Sequence, residues 1–511
     1  MNRPNILHIF VDQQRFDTIG ALGNSVIRTP HLDALAQSGI AFTSAYTPSP
    51  VCVSARCSML HGQYPMNTNC YGNGLMPTDG RETIMDALSR VGYRTHGIGK
   101  CHFTPDPHAM KGFDSRVFME EIRDVDSIDK LPYFEMLVEN GYGHVNEPHG
   151  IRGEMYYTPQ ISQLPQRLHP TQFVADRAID YVNEDHNGKS WYLYAGIIAP
   201  HPPFSPPVPW NRLYRSFQMT MPNLPHEYEH LREFVNLCQN RYKYRDQGMD
   251  AHAVRNIKAY YYACISFIDY QVGRMVQALK DTGQYENTLI LFTGDHGDLL
   301  GDMDSYGKRS MHDGSCRIPM LASLPGVLEG GRICNTPVSL VDVAPTFLSL
   351  AGTTFETHQT DGSPLHELPI NRPIYSAHSF ATENLVMDSA EVPYPDDPEL
   401  YRGSMTTYMI LNERWKYFYS MADQKHFLFD RVTDPRETVN KAYIKCYRKD
   451  RDTMQKTLME TLRKAEDTIC LDGNSWRKTH RYELHPDPNA GLLTQDADLP
   501  WVSSVIEGYN T

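Results

Sequence analysis

Ile6 to Val11, Trp191 to Ile198 and Thr288 to Thr293 are near-continuous apolar runs. Continuous rather than alternating hydrophobicity predicts strands covered on both faces, as in the parallel sheet of an α/β protein. Between these runs the period becomes helical. Thr29-Pro30-His31-Leu32-Asp33-Ala34-Leu35-Ala36 opens with a Thr cap and a proline at the first helical position, and stops at Gly39. From about Val254 to Lys280, the residues Ile257, Tyr261, Ile265, Ile268, Val272, Met275 and Leu279 recur at helical spacing and predict one long helix. Strands alternating with helices predict a doubly wound fold.

Each predicted strand runs into polar residues: Asp12-Gln13-Gln14-Arg15, Pro200-His201-Pro202-Pro203 and Asp295-His296-Gly297-Asp298. Sites in open α/β sheets lie at the carboxyl ends of strands, so these clusters are expected to converge. From about Asn371 the pattern changes. Prolines and acids crowd 391–399, short strand-like pieces follow at 404–410 and 415–419, and Met454, Leu458 and Leu462 mark a helix. The predicted organisation is an α/β catalytic domain over 1–375 and a smaller α+β subdomain over 376–511. Its proline-rich tail is expected to wrap a neighbour, joining a homo-oligomer.

Composition narrows the class. The 511 residues carry a formal charge of −13, which argues against non-specific nucleic-acid binding but leaves room for a local basic pocket. No run of 18 apolar residues exists, so no membrane-spanning helix is expected. The first apolar run is too short for a signal-peptide core, and the ten cysteines contain no CxxC pair; a reduced, cytoplasmic protein is expected.

Asp12, Asp295 and His296 directly follow strands, and hard oxygens with one imidazole suit Ca²⁺, Mg²⁺ or Mn²⁺. In the segment from Pro50 to Gly62, Cys52 and Arg56 are four residues apart and share a helix face. A cysteine at a helix start beside an arginine has a lowered pKa and is nucleophilic; a lone cysteine is otherwise a small buried apolar residue.

Taken together, these segments resemble the type I sulfatases of the alkaline phosphatase superfamily. Cys52 to Gly62 falls where that family carries Cys-x-Pro/Ala-x-Arg followed by Leu-Thr-Gly. Gly99-Lys100-Cys101-His102 resembles its Gly-Lys-x-His motif, and Thr293-Gly294-Asp295-His296-Gly297 its second metal motif. Residues 29–46, Val338 to Thr346, Asp361-Gly362 and Leu428 to Asn440 are also similar, so the likeness spans roughly 4 to 445. The resemblance implies an alkaline-phosphatase-like mixed sheet and hydrolysis of sulfate esters, arylsulfatase-like. It implies that Cys52 is converted to formylglycine by a formylglycine-generating enzyme, and that the hydrate attacks sulfur and later expels sulfate without water attacking sulfur. It implies one divalent metal, Ca²⁺ before Mn²⁺ or Mg²⁺, held by Asp12, Gln13, Asp295, His296 and the modified Cys52. Arg56 would offset oxyanion charge. Lys100 and His102 would contact sulfate, with His102 collapsing the hemiacetal. His201 and Lys308 would protonate the leaving group, and Asn73 would touch sulfate. Two positions depart from the pattern: Ser54 stands for Pro or Ala, and His61 for Thr.

Two other functions fit the same residues. Phosphonate monoester and phosphodiester hydrolases of the superfamily share Asp-Gln, Asp-His and a long tail, but usually lack the Lys and His kept here as Lys100 and His102. A non-catalytic paralogue would keep Cys52 as a thiol. Tyr242 to Tyr262 and Trp210 are read either as walls of an aryl or sugar pocket or as core.

Overall fold

The structure is a computed structural model and describes residues 3–121, 131–243, 248–381, 398–480, 482 and 484. Most of the proline-rich 391–399 stretch and the tail expected to join subunits lie outside these residues, as does part of the Tyr242 to Tyr262 stretch.

Eight strands form the main sheet: Asn5–Val11 (β1), Ile40–Phe42 (β2), Arg94–Gly99 (β3), Ser115–Phe118 (β4), Trp191–Ile197 (β5), Thr288–Gly294 (β6), Met320–Ser323 (β7) and Arg332–Cys334 (β8). Their spatial order is β8-β2-β7-β6-β1-β5-β3-β4. All neighbours pair in parallel except β7, which runs antiparallel to β2 and β6. The sheet is therefore mixed.

Both faces of β1 are buried, which explains its unbroken hydrophobicity. Leu7, Ile9 and Val11 share one core with Leu32 and Leu35 of helix Pro30–Ser38 (α1), Phe173 and Val174 of Pro170–Val182 (α3), and Ile268 and Val272 of Ala251–Asp281 (α4). Ile6 and Phe10 point the other way, into a core with Val53 and Cys57 of Cys52–His61 (α2) and Phe347 of Val343–Ala351 (α5). Each such side chain contributes about 1.5–3 kcal/mol on full burial, so β1 is held from both sides.

The predicted strands and the long helix all form, while β3 and β4 were not predicted. Arg94-Thr95-His96-Gly97-Ile98-Gly99 holds few apolar residues, and two of its six positions are glycines. Gly99 has a φ of +79°, and a Cβ on it would run into the carbonyl oxygen of Gly196 on β5.

A second, antiparallel sheet follows: Ile374–Ser379 (β9), Thr406–Leu411 (β10), Trp415–Ser420 (β11) and Lys425–Asp430 (β12), in chain order. Met454, Leu458 and Leu462 of Arg448–Lys464 (α6) pack on Tyr408, Ile410 and Tyr417. Ser404 ends a short helix, Pro398–Ser404, and the strand predicted from 404 starts at Thr406.

Candidate active site

Adjacent strands deliver the predicted residues to one place. Asp12 follows β1, Lys100 follows β3, His201 lies four residues beyond β5, and Asp295-His296 follow β6. The register pairs Val11 with both Ile197 and Gly294, so these strands end level with one another. The ladder continues one step further: Asp12 N–H donates to the Ile197 carbonyl (3.1 Å), Asp295 N–H to that of Val11 (3.2 Å), and Lys100 N–H to that of Gly196 (3.0 Å). Helix α2 enters from the other side and presents Cys52 in its first turn.

Cys52 Sγ lies 2.8 Å from Lys308 Nζ, 3.3 Å from His296 Nε2 and 3.8 Å from Asp12 Oδ1. Among the described residues, the ligand atoms of Asp12, Cys52, Asp295 and His296 all lie within 4.8 Å of one another, and all four are buried. Arg56 donates to Asp295 Oδ2 through Nε (3.2 Å) and Nη2 (3.0 Å), to Asp12 Oδ2 through Nη2 (3.3 Å), and through Nη1 to the Lys100 carbonyl (2.9 Å) and Tyr194 hydroxyl (2.7 Å). All five guanidinium N–H groups thus have protein acceptors. Lys100 Nζ bridges Asp12 Oδ2 (2.6 Å) and Glu121 Oε2 (2.5 Å).

The electrostatics follow from this packing. Burial and the neighbouring Asp12 push the Cys52 thiol up, but Lys308, Lys100 and His296 outweigh them and hold it well below the usual thiol range. Burial also acts to raise Asp12; Lys100, His201, Lys308 and Arg56 reverse this and keep its carboxyl well below the usual range. Asp295 goes the other way, raised by burial and then by Asp12. Burial pulls the His201 imidazole down to about 3, against the opposing pull of Glu121.

The residues fit a divalent cation. Two carboxylates this close disfavour each other's charge, which a cation would relieve. The Gln13 backbone sits at a φ of +65°, and its side-chain Oε1 is buried with no hydrogen-bond partner, while Nε2 is taken by Asp298 Oδ2 at 2.5 Å. An orphaned carbonyl oxygen on the residue after Asp12, whose own N–H donates to Asp295 Oδ1 (3.0 Å), is a hard donor of the kind such ions take. Non-glycine residues at positive φ cost of order 1–3 kcal/mol and cluster at functional sites; His102, at a φ of +55° with Nδ1 buried and unpartnered, is a second.

Some placements differ from the sequence expectation. Asn73 is exposed, and its Oδ1 accepts from the Val53 N–H (3.1 Å), so it serves the first turn of α2. With its N–H groups occupied, Arg56 reaches substrate through charge rather than a free donor. The departures at 54 and 61 have structural partners: the Ser54 hydroxyl donates to the Cys70 carbonyl, and His61 Nδ1 lies 2.9 Å from the Glu82 carbonyl. Tyr261 and Tyr262 are buried in a cluster with Phe204 and Tyr214 and are core, while Trp210 is half-buried and packs on Phe267 and Tyr270. Tyr261 still supports the site, since its hydroxyl donates to the Gln13 carbonyl (2.7 Å).

The sequence reading missed Glu121. It lies beyond the carboxyl end of β4, where the same strand-end logic would have found it had that short strand been recognised. Glu121 pairs with Lys100, with Arg152 and with His201 Nδ1 (3.2 Å). Asp298 was also given no role; its Oδ1 accepts from Gly307 N–H (3.0 Å), tying the loop that carries Lys308 to Gln13. Beside His102 and Glu121 lies a cavity of about 320 Å³ walled by Phe103, Pro105, Pro107 and Phe118.

Comparison with known proteins gives a consistent result. The sulfatase family model matches residues 4–353, and a model described as N-sulphoglucosamine sulphohydrolase, C-terminal, matches 301–467. The chain is 27% identical to an arylsulfatase of Clostridium perfringens, over 93% of this chain and 98% of that protein. It is 30% identical to the multifunctional alkaline phosphatase superfamily protein PehA of Trinickia caryophylli, over 92% and 97%. The phosphonate monoester hydrolase structure from Agrobacterium radiobacter superposes with a TM-score of 0.75 at 25% identity, covering 91% of this chain and 96% of that one.

Proposed function

The chain belongs to the sulfatase family of the alkaline phosphatase superfamily and is a sulfuric ester hydrolase, and from that premise we propose that it cleaves aryl-type sulfate esters through Cys52 converted to formylglycine. The observation that carries this reading is the convergence of Cys52, Lys308, Asp12, Asp295 and His296 at one buried point. Conversion replaces the thiol with an aldehyde whose hydrate supplies the attacking hydroxyl. One divalent ion, Ca²⁺ first and Mn²⁺ or Mg²⁺ otherwise, would be held by Asp12, Asp295, His296, Gln13 and position 52, and would lower the pKa of that hydroxyl.

The side chains then divide the work. Lys308 carries positive charge to position 52 and Lys100 to the neighbouring Asp12, where sulfate oxygens would sit. Arg56, buried with its donors occupied, holds Asp12 and Asp295 in place and contributes field. His102 lines the adjoining cavity and is the base for release of sulfate. His201 and Lys308 protonate the departing oxygen. The apolar walls around Phe103 and Phe118 suit an uncharged ring on the ester.

A phosphonate replaces one sulfate oxygen with carbon and leaves a buried donor at Lys100 unpaired. Rates on 4-nitrophenyl sulfate and 4-nitrophenyl phenylphosphonate test this, since both release the same phenol. The wild type is expected to favour the sulfate in kcat/KM by about 10-fold or more. Lys100→Ala is expected to shrink that ratio by costing sulfate more. A wild-type preference for the phosphonate overturns the sulfate reading.

A further inference from the structure

We propose that Glu121 is a positioning residue for leaving-group protonation: with Nδ1–H of His201 held by the Pro202 carbonyl, the Glu121 carboxylate beside that nitrogen stabilises the imidazolium whose Nε2 proton goes to the departing oxygen. This rests on the reading of His201 as the proton donor.

His201 Nδ1 lies 3.2 Å from Glu121 Oε1 and 2.7 Å from the Pro202 carbonyl oxygen. The Pro202 carbonyl can only accept, so Nδ1 carries the hydrogen and donates it there, with the Glu121 carboxylate standing by as a charge partner. That leaves Nε2 as the nitrogen that gains and loses a proton, and it faces the Tyr156 hydroxyl at 3.4 Å. A carboxylate on one imidazole nitrogen and the reacting group on the other is the arrangement that orients histidine in hydrolases and stabilises the imidazolium.

Glu121 is built in. Its side chain is only 9% exposed, and it pairs with Lys100 and Arg152 as well as His201. Arg152, 30% exposed and 5.5 Å over the Tyr156 ring, closes the outer side of the cluster. An arriving sulfate adds negative charge near Nε2 and favours protonation there. In the step, the sulfur–oxygen bond to the alcohol breaks with its electron pair on oxygen. The Nε2 proton forms the new O–H bond, and its bonding pair stays on nitrogen. Nδ1–H stays on the Pro202 carbonyl beside Glu121, and the next turnover takes its Nε2 proton from solvent.

The test is leaving-group dependence, which a purely structural role would not alter. kcat/KM for aryl sulfates from 4-nitrophenyl to unsubstituted phenyl reports steps through sulfur–oxygen cleavage. Glu121→Gln is expected to lose about 10-fold on the 4-nitrophenyl ester and about 1,000-fold on the phenyl ester, because a poor leaving group needs its proton more. His201→Ala should show the same steep pattern, and the double variant should lose little beyond His201→Ala alone. If Glu121→Gln does not fold, Glu121→Asp carries the test, with the same trend at smaller size. An equal loss on every ester for the Glu121 variant, with His201→Ala steep, overturns the proposal alone. A flat His201→Ala overturns the His201 reading and the proposal with it. If the wild type turns over only aryl phosphonates, the same series on those esters tests the proposal unchanged.

Discussion

Cys52→Ala is expected to abolish turnover, with kcat lower by on the order of 10⁴-fold or more, because it removes the nucleophile precursor from the cluster of Asp12, Asp295 and His296. The fold should survive. Cys52 occupies the first turn of α2, facing Lys308 and the carboxylates, and is absent from the packed core clusters. Cys57→Ala is the control. Cys57 is buried in the core under the sheet, so its loss should cost about 1–2 kcal/mol of stability and leave most activity. Thermal melts and steady-state rates for both variants check this; an inactive Cys57→Ala beside an active Cys52→Ala would mean the nucleophile is the other cysteine.

Asp12→Asn and Asp295→Asn should each strip the divalent ion and lower kcat/KM by about 1,000-fold, more than the 10–100-fold of an outer-sphere change. Asp12 carries a further burden: it faces Lys100 at 2.6 Å and Arg56 at 3.3 Å, so neutralising it leaves two buried cations less balanced. Asp12→Asn is therefore expected to lower the melting temperature more than Asp295→Asn. Elemental analysis of pure wild type should find about one divalent ion per chain, following the single buried cluster of donors among the described residues. Two ions would indicate a bimetallic site, and full activity in chelator would remove the metal from the mechanism.

The sheet centre and the nucleophile segment were legible for a simple reason. β1, β5 and β6 are buried on both faces, so burial is written as unbroken hydrophobicity, and Asp12 and Asp295 sit where such strands must end. β3 and β4 were not legible. Gly97 and Gly99 replace apolar side chains where the Phe113 ring and the Gly196 backbone approach, and Ser115–Phe118 is a half-exposed edge strand. Glu121 was hidden with β4. Arg56 was found by spacing, but the saturation of its five donors depends on Asp12, Lys100, Tyr194 and Asp295 meeting from four strands, which no local pattern encodes. Asn73 illustrates the opposite case: a polar residue near the site whose oxygen serves a helix N–H.

The most direct measurement is the mass of the proteolytic peptide carrying Cys52, taken from protein made with and without a formylglycine-generating enzyme and set against its rate on 4-nitrophenyl sulfate. The expected result is a lighter, aldehyde-bearing peptide whose fraction rises with the enzyme, with activity rising in proportion and vanishing where Cys52 stays a thiol. Full activity in protein whose Cys52 is wholly thiol would contradict the formylglycine assignment.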